Sequence, residues 1–237
     1  MGRLARTVNS AAKPRYIVGS SPTGVPFSFI DIHTFTLTGA LVELTRALAQ
    51  NAGFQAEFRE TAFSALIPSL LARKIDIIAA AMLKTPQRAK VVDFSDPVYS
   101  YGAGLVVSAA DKKQYRSLAD LKGLRVGAQV GTMYVDQLRP ASPKDIKTYD
   151  SLYDILRDLR FGRIDAAYGD APILRYEMDK TKPSNLRYAS SFRPPSREDV
   201  CLIVRKSEPQ LLSEINNSIR QIGPSSLKTI LIRWNLQ

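Results

Sequence analysis

Residues 75–102 read IDIIAAAMLKTPQRAKVVDFSDPVYSYG, and the order of side chains in this stretch decides the fold class. Ile75-Asp76-Ile77-Ile78-Ala79-Ala80-Ala81 is a short apolar run of the kind that forms a strand buried on both faces. It gives out at Met82-Leu83-Lys84. Thr85-Pro86 then supplies a capping hydroxyl followed by proline in the first turn, which starts a helix. Arg88 therefore falls in the first turn of a short helix just beyond the C-terminal end of a strand, the rim at which open α/β sheets bind ligands. A planar, permanently charged guanidinium is suited there to gripping a carboxylate through two parallel hydrogen bonds. The plainer reading, a solvated surface arginine, holds for most of the basic residues of this chain.

A second copy of the pattern favours the ligand reading. With a shift of about 89 positions, FSALIPSLLARKIDIIAAA lies over LYDILRDLRFGRIDAAYGD. Leu66 meets Ile155, Leu70 meets Leu159, Lys74 meets Arg163, and Ile75-Asp76 meets Ile164-Asp165. Each copy reads helix, basic turn, strand. Beyond the second strand stands Asp170, where the first copy has Ala81. Two similar halves thus present a cation and an anion at equivalent strand ends, an arrangement that suits a small zwitterion held between two lobes.

Composition narrows the classes. At 237 residues, 45% hydrophobic, the chain can bury a core as one large domain or two small ones. No apolar run approaches the roughly eighteen residues of a membrane span. With 33 Lys and Arg against 22 Asp and Glu the net charge is +11, but the basic residues are scattered and form no nucleic-acid module. The single Cys201, in the apolar run CLIV, is expected to pack as a small hydrophobe. One His and one Cys far apart argue against a zinc site and a Cys/His nucleophile, and no cofactor is expected. The opening MGRLARTVNSAAKPR is basic without an apolar h-region. Residues 1–15 are expected to be a disordered leader or cloning remnant, any export signal having been removed.

Along the chain, Tyr16 to Gly19 forms a first strand, with a turn-rich loop from Ser20 to Pro26 at its end. Phe27 to Thr38 makes a small hairpin with an exposed His33 near its tip. Gly39 to Ala52 is an amphipathic helix with Leu41, Leu44 and Leu48 on one stripe, stopped by Gly53. Ala56 to Thr61 is a strand and Phe63 to Ala72 a helix. Gly104 to Ser108 crosses to a second lobe. There Ser117 to Leu121 is a capped turn, Leu124 to Gln129 a strand, and Gly131-Thr132 opens a helix whose N–H groups at Thr132 and Met133 are placed to bind a carboxylate. Asp145 to Tyr149, the second repeat and Leu186 to Ser190 complete that lobe. Val200 to Arg205 returns as a strand, and helices at Pro209–Ile222 and Ser225–Trp234 pack back onto the first lobe. The fold class is α/β, with two discontinuous lobes joined by two crossing strands. Lobe one spans residues 16–103 plus 202–237, and lobe two spans residues 104–201.

The segments VGSSPTGVPFSF, FSALIPSLLARKIDIIAA, TPQRAKVVDFSDPVYSYG, SLADLKGLRVGAQVGT, YDILRDLRFGRIDAAYGD and LIRW, in that order, resemble the polar amino-acid family of extracellular solute-binding proteins, family 3. The resemblance covers Tyr16 to Trp234. It implies a monomeric, periplasmic, two-lobed receptor of the type II or Venus-flytrap kind. Such a receptor delivers a small amino acid or amino-acid derivative to the membrane permease of an ABC importer, with no nucleic-acid partner. It also implies roles. Arg88 takes the ligand carboxylate and Asp170 its ammonium; Phe63 packs on the ligand side chain, and Thr132 follows the glycine of the far lobe.

Several positions depart from the family pattern. Leu83 stands where relatives carry a hydroxyl, Ala80 and Ala81 where they carry glycine or small polar residues, and Met133 where they carry a second hydroxyl. Gly24 stands in place of an aromatic residue, and Ser21 in place of the acidic residue of basic-amino-acid binders. The charge clamp thus survives while neutral partners are lost, which implies a less polar or unusual ligand. Two other readings stay open. Some relatives on this scaffold are dehydratases of prephenate-like acids, for which Glu198 or Asp199 would supply the acid. The chain also fits the sensing ectodomain of a receptor.

Overall fold

The repeated Ile-Asp pairs show first how the sequence becomes structure. In this computed structural model, which describes residues 12–236, both aspartates do the same work. Asp76 Oδ2 accepts from the Ile17 N–H at 2.9 Å and Asp165 Oδ2 from the Arg125 N–H at 2.8 Å. Each carboxylate also takes a guanidinium: Arg205 Nη2 donates to Asp76 at 2.8 Å and Arg125 Nη2 to Asp165 at 2.6 Å. In each half the aspartate therefore ties the start of one strand to the start of its parallel neighbour, where the ladder has not yet begun. Arg205 is buried, and its Nη1 also donates to Ile75 O at 2.6 Å, so this tie spans three strands.

From these ties the first lobe follows. Strands β1 (Arg15–Ser20) and β5 (Gln55–Glu60) run parallel. Between them in sequence lie the short strands β2 (Thr23–Gly24), β3 (Ser28–Ile30) and β4 (Leu37–Thr38) of a small separate sheet, and helix α1 (Ala40–Ala52). Leu41, Leu44 and Leu48 of α1 are fully buried, each contributing about 1.5–3 kcal/mol, and Gly53 ends the helix in the left-handed conformation. Helix α2 (Leu66–Leu71) is preceded by one tighter turn at Phe63–Ala65 and leads into β6 (Ile77–Ile78). Thr85 caps α3 (Pro86–Ala89) by accepting from Arg88 N at 3.2 Å. After β7 (Val92–Phe94) the sheet is completed by β14 (Ile203–Arg205), giving the order β5-β1-β6-β14-β7.

Strand β8 (Tyr99–Ser108) is ten residues long and starts before the expected Gly104. Around it the second lobe adds β9 (Arg125–Gln129), α4 (Met133–Leu138), β10 (Asp145–Tyr149), α5 (Leu152–Arg160), β11 (Ala166–Asp170), α6 (Ala171–Thr181) and β12 (Leu186–Tyr188). The order here is β10-β9-β11-β8-β12, with β13 (Arg197–Val200) on the other stretch of β8. The expected single strand from Val200 to Arg205 is in fact β13 and β14, separated by two residues that bear neither ladder. Helix α7 (Pro209–Arg233) is broken at Gly223, whose φ of 76° and following proline stop the ladder. Its end is pinned to α1: Trp234 Nε1 donates to Glu43 at 2.8 Å beside an Arg233–Glu43 ion pair. Of the expected leader, residues 1–11 lie outside the described residues. Among the described residues no helix is long and apolar enough to cross a membrane.

Removing the Asp76 carboxylate leaves the buried Arg205 guanidinium with Glu208, at 3.4 Å, as its one remaining carboxylate among the described residues. Asp76→Ala should cost roughly 3 kcal/mol and lower the calorimetric midpoint by about 10 °C. Asp165→Ala, whose pair is a third exposed, should cost about 1 kcal/mol or less. Equal losses in the two variants would refute the difference in burial as the cause. The Asp165 carboxyl is held below its usual range, chiefly by the Arg125 guanidinium. A depressed folded-state pKa means that its stabilisation is present above the unfolded pKa and fades as the pH falls through the folded one. Unfolding at stepped pH should show Asp165→Asn losing less stability on acidification than the parent chain.

Candidate ligand cleft

Two strand ends face each other across the lobes. Arg88 projects from α3, beyond β6, and Asp170 ends β11 at the start of α6. The lobe rims meet: Arg88 Nη2 donates to Gly131 O of the far lobe at 2.9 Å. A β-carbon on Gly131 would lie 3.0 Å from Ser64 Cα, so glycine, at φ 77°, is what lets the far rim approach this closely. The arrangement is a closed one. Arg88 Nη1 donates to Leu83 O, and the guanidinium lies 5.9 Å from the Phe63 ring centroid. Two of its five N–H groups thus serve carbonyls, and three remain for an anion. Burial pushes the Arg88 pKa down, while nearby Tyr101 and Asp170 push it up.

Asp170 is buried and held by two tyrosines. Its Oδ1 accepts from the hydroxyls of Tyr101, on β8, and of Tyr134, on α4, the latter at 2.8 Å. Burial nevertheless raises its pKa above the usual carboxylate range, against the two hydroxyls and Arg88, which lower it. The Tyr101 oxygen is also 3.0 Å from Ala81 O. The hydroxyl therefore serves both protonation states. It donates to the carboxylate, or turns to the Ala81 carbonyl and accepts from the neutral acid.

The candidate residues named from sequence divide into three groups. Arg88, Phe63 and Leu83 come together on one rim, and Ala81 joins Asp170 through Tyr101. Ser21 is buried, its hydroxyl 3.2 Å from that of Thr23, and Gly24 ends the short strand β2 beside it. Thr132 and Met133 form the far-lobe turn, but Thr132 turns inward. Its hydroxyl donates to Gln129 O at 2.6 Å and its N–H to the same carbonyl at 3.3 Å. The expected anion donor at Thr132 is therefore already engaged, because the turn closes on itself before the helix begins. Met133 packs against the core, and the residue that reaches Asp170 is its neighbour Tyr134. Sequence reading missed both tyrosines. The available signal was the alternation of Tyr99 and Tyr101 on one face of a crossing strand. Glu198 and Asp199, the residues named for a dehydratase, lie on β13, where their backbone stands opposite Tyr101 and Ser100 of β8.

A cavity of about 270 Å³ opens beside Phe63 at the cleft edge. Its walls include Ser21 and Glu60 of the first lobe and Val130 and Asp150 of the second, with both carboxylates exposed.

Residues 16–237 match the family described as bacterial extracellular solute-binding proteins, family 3. The ABC transporter arginine-binding protein 1 of Escherichia coli K12 is 32% identical over 91% of this chain and 88% of its own length. The L-cystine-binding protein TcyJ of the same strain is 30% identical over 92% and 81%. An ancestral arginine-binding protein solved with arginine superposes with a TM-score of 0.85 at 29% identity, covering 94% of this chain and 99% of that one.

Each tyrosine hydroxyl favours the charged form of Asp170, so its removal should raise the carboxyl pKa further. The Tyr101→Phe and Tyr134→Phe variants, followed by carboxyl-carbon NMR titration, should each shift the Asp170 midpoint upward. A downward shift in either would show that the hydroxyl accepts from Asp170 more than it donates.

Proposed function

The chain belongs to the bacterial extracellular solute-binding proteins of family 3, and on that premise we propose that its two lobes close around a basic amino acid outside the cytoplasmic membrane, in the periplasm, and present it to the permease of an ABC importer. The observation that carries this reading is the opposed pair at the strand ends, Arg88 on one lobe and Asp170 on the other, in a cleft whose rims already touch. Arg88 is assigned the ligand carboxylate through its uncommitted N–H groups. Asp170, at an α-helix N-terminus and held by Tyr101 and Tyr134, is assigned the ammonium, whose charge would offset the burial that lifts the carboxyl pKa.

The side-chain end points to a cation. The loss of hydroxyls at Leu83 and Met133 implies a less polar or unusual ligand, but the open space beside Phe63 has Glu60 on one lobe and Asp150 on the other. Closure brings two like charges toward one space, and a guanidinium between them removes that opposition. The arginine bound by relatives supports the same choice. The named relatives are binding proteins, which favours a receptor over the dehydratase.

Calorimetric titration with L-arginine, L-glutamine and L-cystine tests the proposal. L-Arginine should bind most tightly. Arg88→Ala and Asp170→Asn should each weaken it by at least about 30-fold, since one buried charge is left without its partner. Arg88→Lys should not restore it, because an ammonium cannot reproduce the two-pronged contact. The Glu60→Gln, Asp150→Asn double variant should lose its preference for arginine over glutamine. Failure of all three ligands to bind, or full affinity in Asp170→Asn, would overturn the assignment.

A further inference from the structure

A second cavity lies away from the Arg88 side of the cleft. A groove of about 970 Å³ lies where the crossing strand β8 meets α6, with walls from both lobes: Pro26 and Leu236 on one side, α6 and the segment before β13 on the other. It includes neither Arg88 nor Asp170, although Tyr101, whose hydroxyl donates to Asp170, forms part of its wall. Arg175, Lys180, Arg193 and Arg197 line it, against the single carboxylate of Asp179.

These four cations are positioned but not neutralised. Arg197 Nη2 donates to Ser100 O of β8 at 2.8 Å, and Arg193 Nη1 to Ser190 O at 3.1 Å. The Arg175 guanidinium lies 4.5 Å from the Tyr188 ring centroid, and Lys180 Nζ lies 5.5 Å from that of Tyr176. Carbonyls and aromatic faces fix where these exposed groups sit, and their charge is offset only in part, by Asp179 in the groove and by Glu177 near Lys180. Among the described residues none of the four has a carboxylate at ion-pair distance, whereas Arg125, Arg157, Arg163, Arg205, Arg220 and Arg233 all do. The groove floor is aromatic, with Phe192 buried and Tyr188 half-buried.

We propose that this groove is a second binding site, separate from the amino-acid cleft, for a small organic anion that carries an aromatic ring on a carboxylate or phosphate. Arginine forks match both oxyanions, and rings and guanidinium planes both stack on an aromatic body. The volume is that of a small-molecule site, and the mixture of aromatic wall and a few converging charges is the usual composition of one. The ligand has to contribute the negative charge that the protein leaves out.

The test is titration of the full chain with 4-hydroxybenzoate and with phenyl phosphate, set against acetate and inorganic phosphate as ringless controls. At least one aromatic probe should bind at least tenfold more tightly than its ringless control. The Arg175→Gln, Arg197→Gln double variant should weaken that binding at least tenfold, and Arg88→Ala should leave it unchanged. Arg175→Gln alone, an exposed change that touches only the Tyr188 ring, should weaken binding severalfold in a chain that remains folded. Four results would each overturn the proposal. They are no binding of either aromatic probe, equal affinity for the ringless controls, undiminished binding in the Arg175 variants, and loss of binding in Arg88→Ala. The last would place the anion in the cleft and leave the assignment of Arg88 there intact.

Discussion

Everything in this molecule hangs on one continuous ten-residue strand. From Tyr99 to Gly102, β8 pairs with β13, and from Ala103 onward it pairs with β11 and β12. One strand thus bears ladders on both of its stretches, and the cleft forms beside the point where its partners change. The same strand carries Tyr101 on the face that looks into the cleft, where its hydroxyl meets both Asp170 and Ala81. Connection and recognition share a single element.

The cleft shows how burial and charge are balanced. Asp170 sits deep enough for its charged form to be disfavoured, and two hydroxyls plus a nearby guanidinium offset only part of that cost. Arg88 is drawn toward backbone carbonyls on both rims, which fixes its direction without neutralising it. A carboxylate with a raised pKa and a guanidinium left without a carboxylate are each unfinished alone. A molecule with an anionic and a cationic end completes both.

The hinge groove follows the same logic with an excess of one sign. Its arginines are bound to carbonyls and rings, and among the described residues Asp179 is the one carboxylate that lines it. The net charge of +11 is therefore not evenly solvated surface; part of it is gathered and oriented where the lobes meet.

The sequence by itself determined what depends on local order. Periodicity placed α1 and its leucines, and Thr85-Pro86 placed the cap from which Arg88 projects, because capping is decided within one turn of chain. The repeat placed Asp76 and Asp165 at equivalent points, although their structural work with Ile17, Arg125 and Arg205 was not legible, since those partners are 40 residues or more away in sequence. Only the tertiary structure decided which polar groups were already spent. Thr132 was a natural anion donor until its turn closed on Gln129, and Met133 a natural neighbour of the ligand until helical phase turned Tyr134 toward Asp170 instead. Tyr101 could not be singled out from sequence, because its meaning lies in a contact 69 residues away, made only when two lobes pack against one strand. The physical reason is general: local chemistry fixes which groups are offered, and long-range packing fixes which of them remain free.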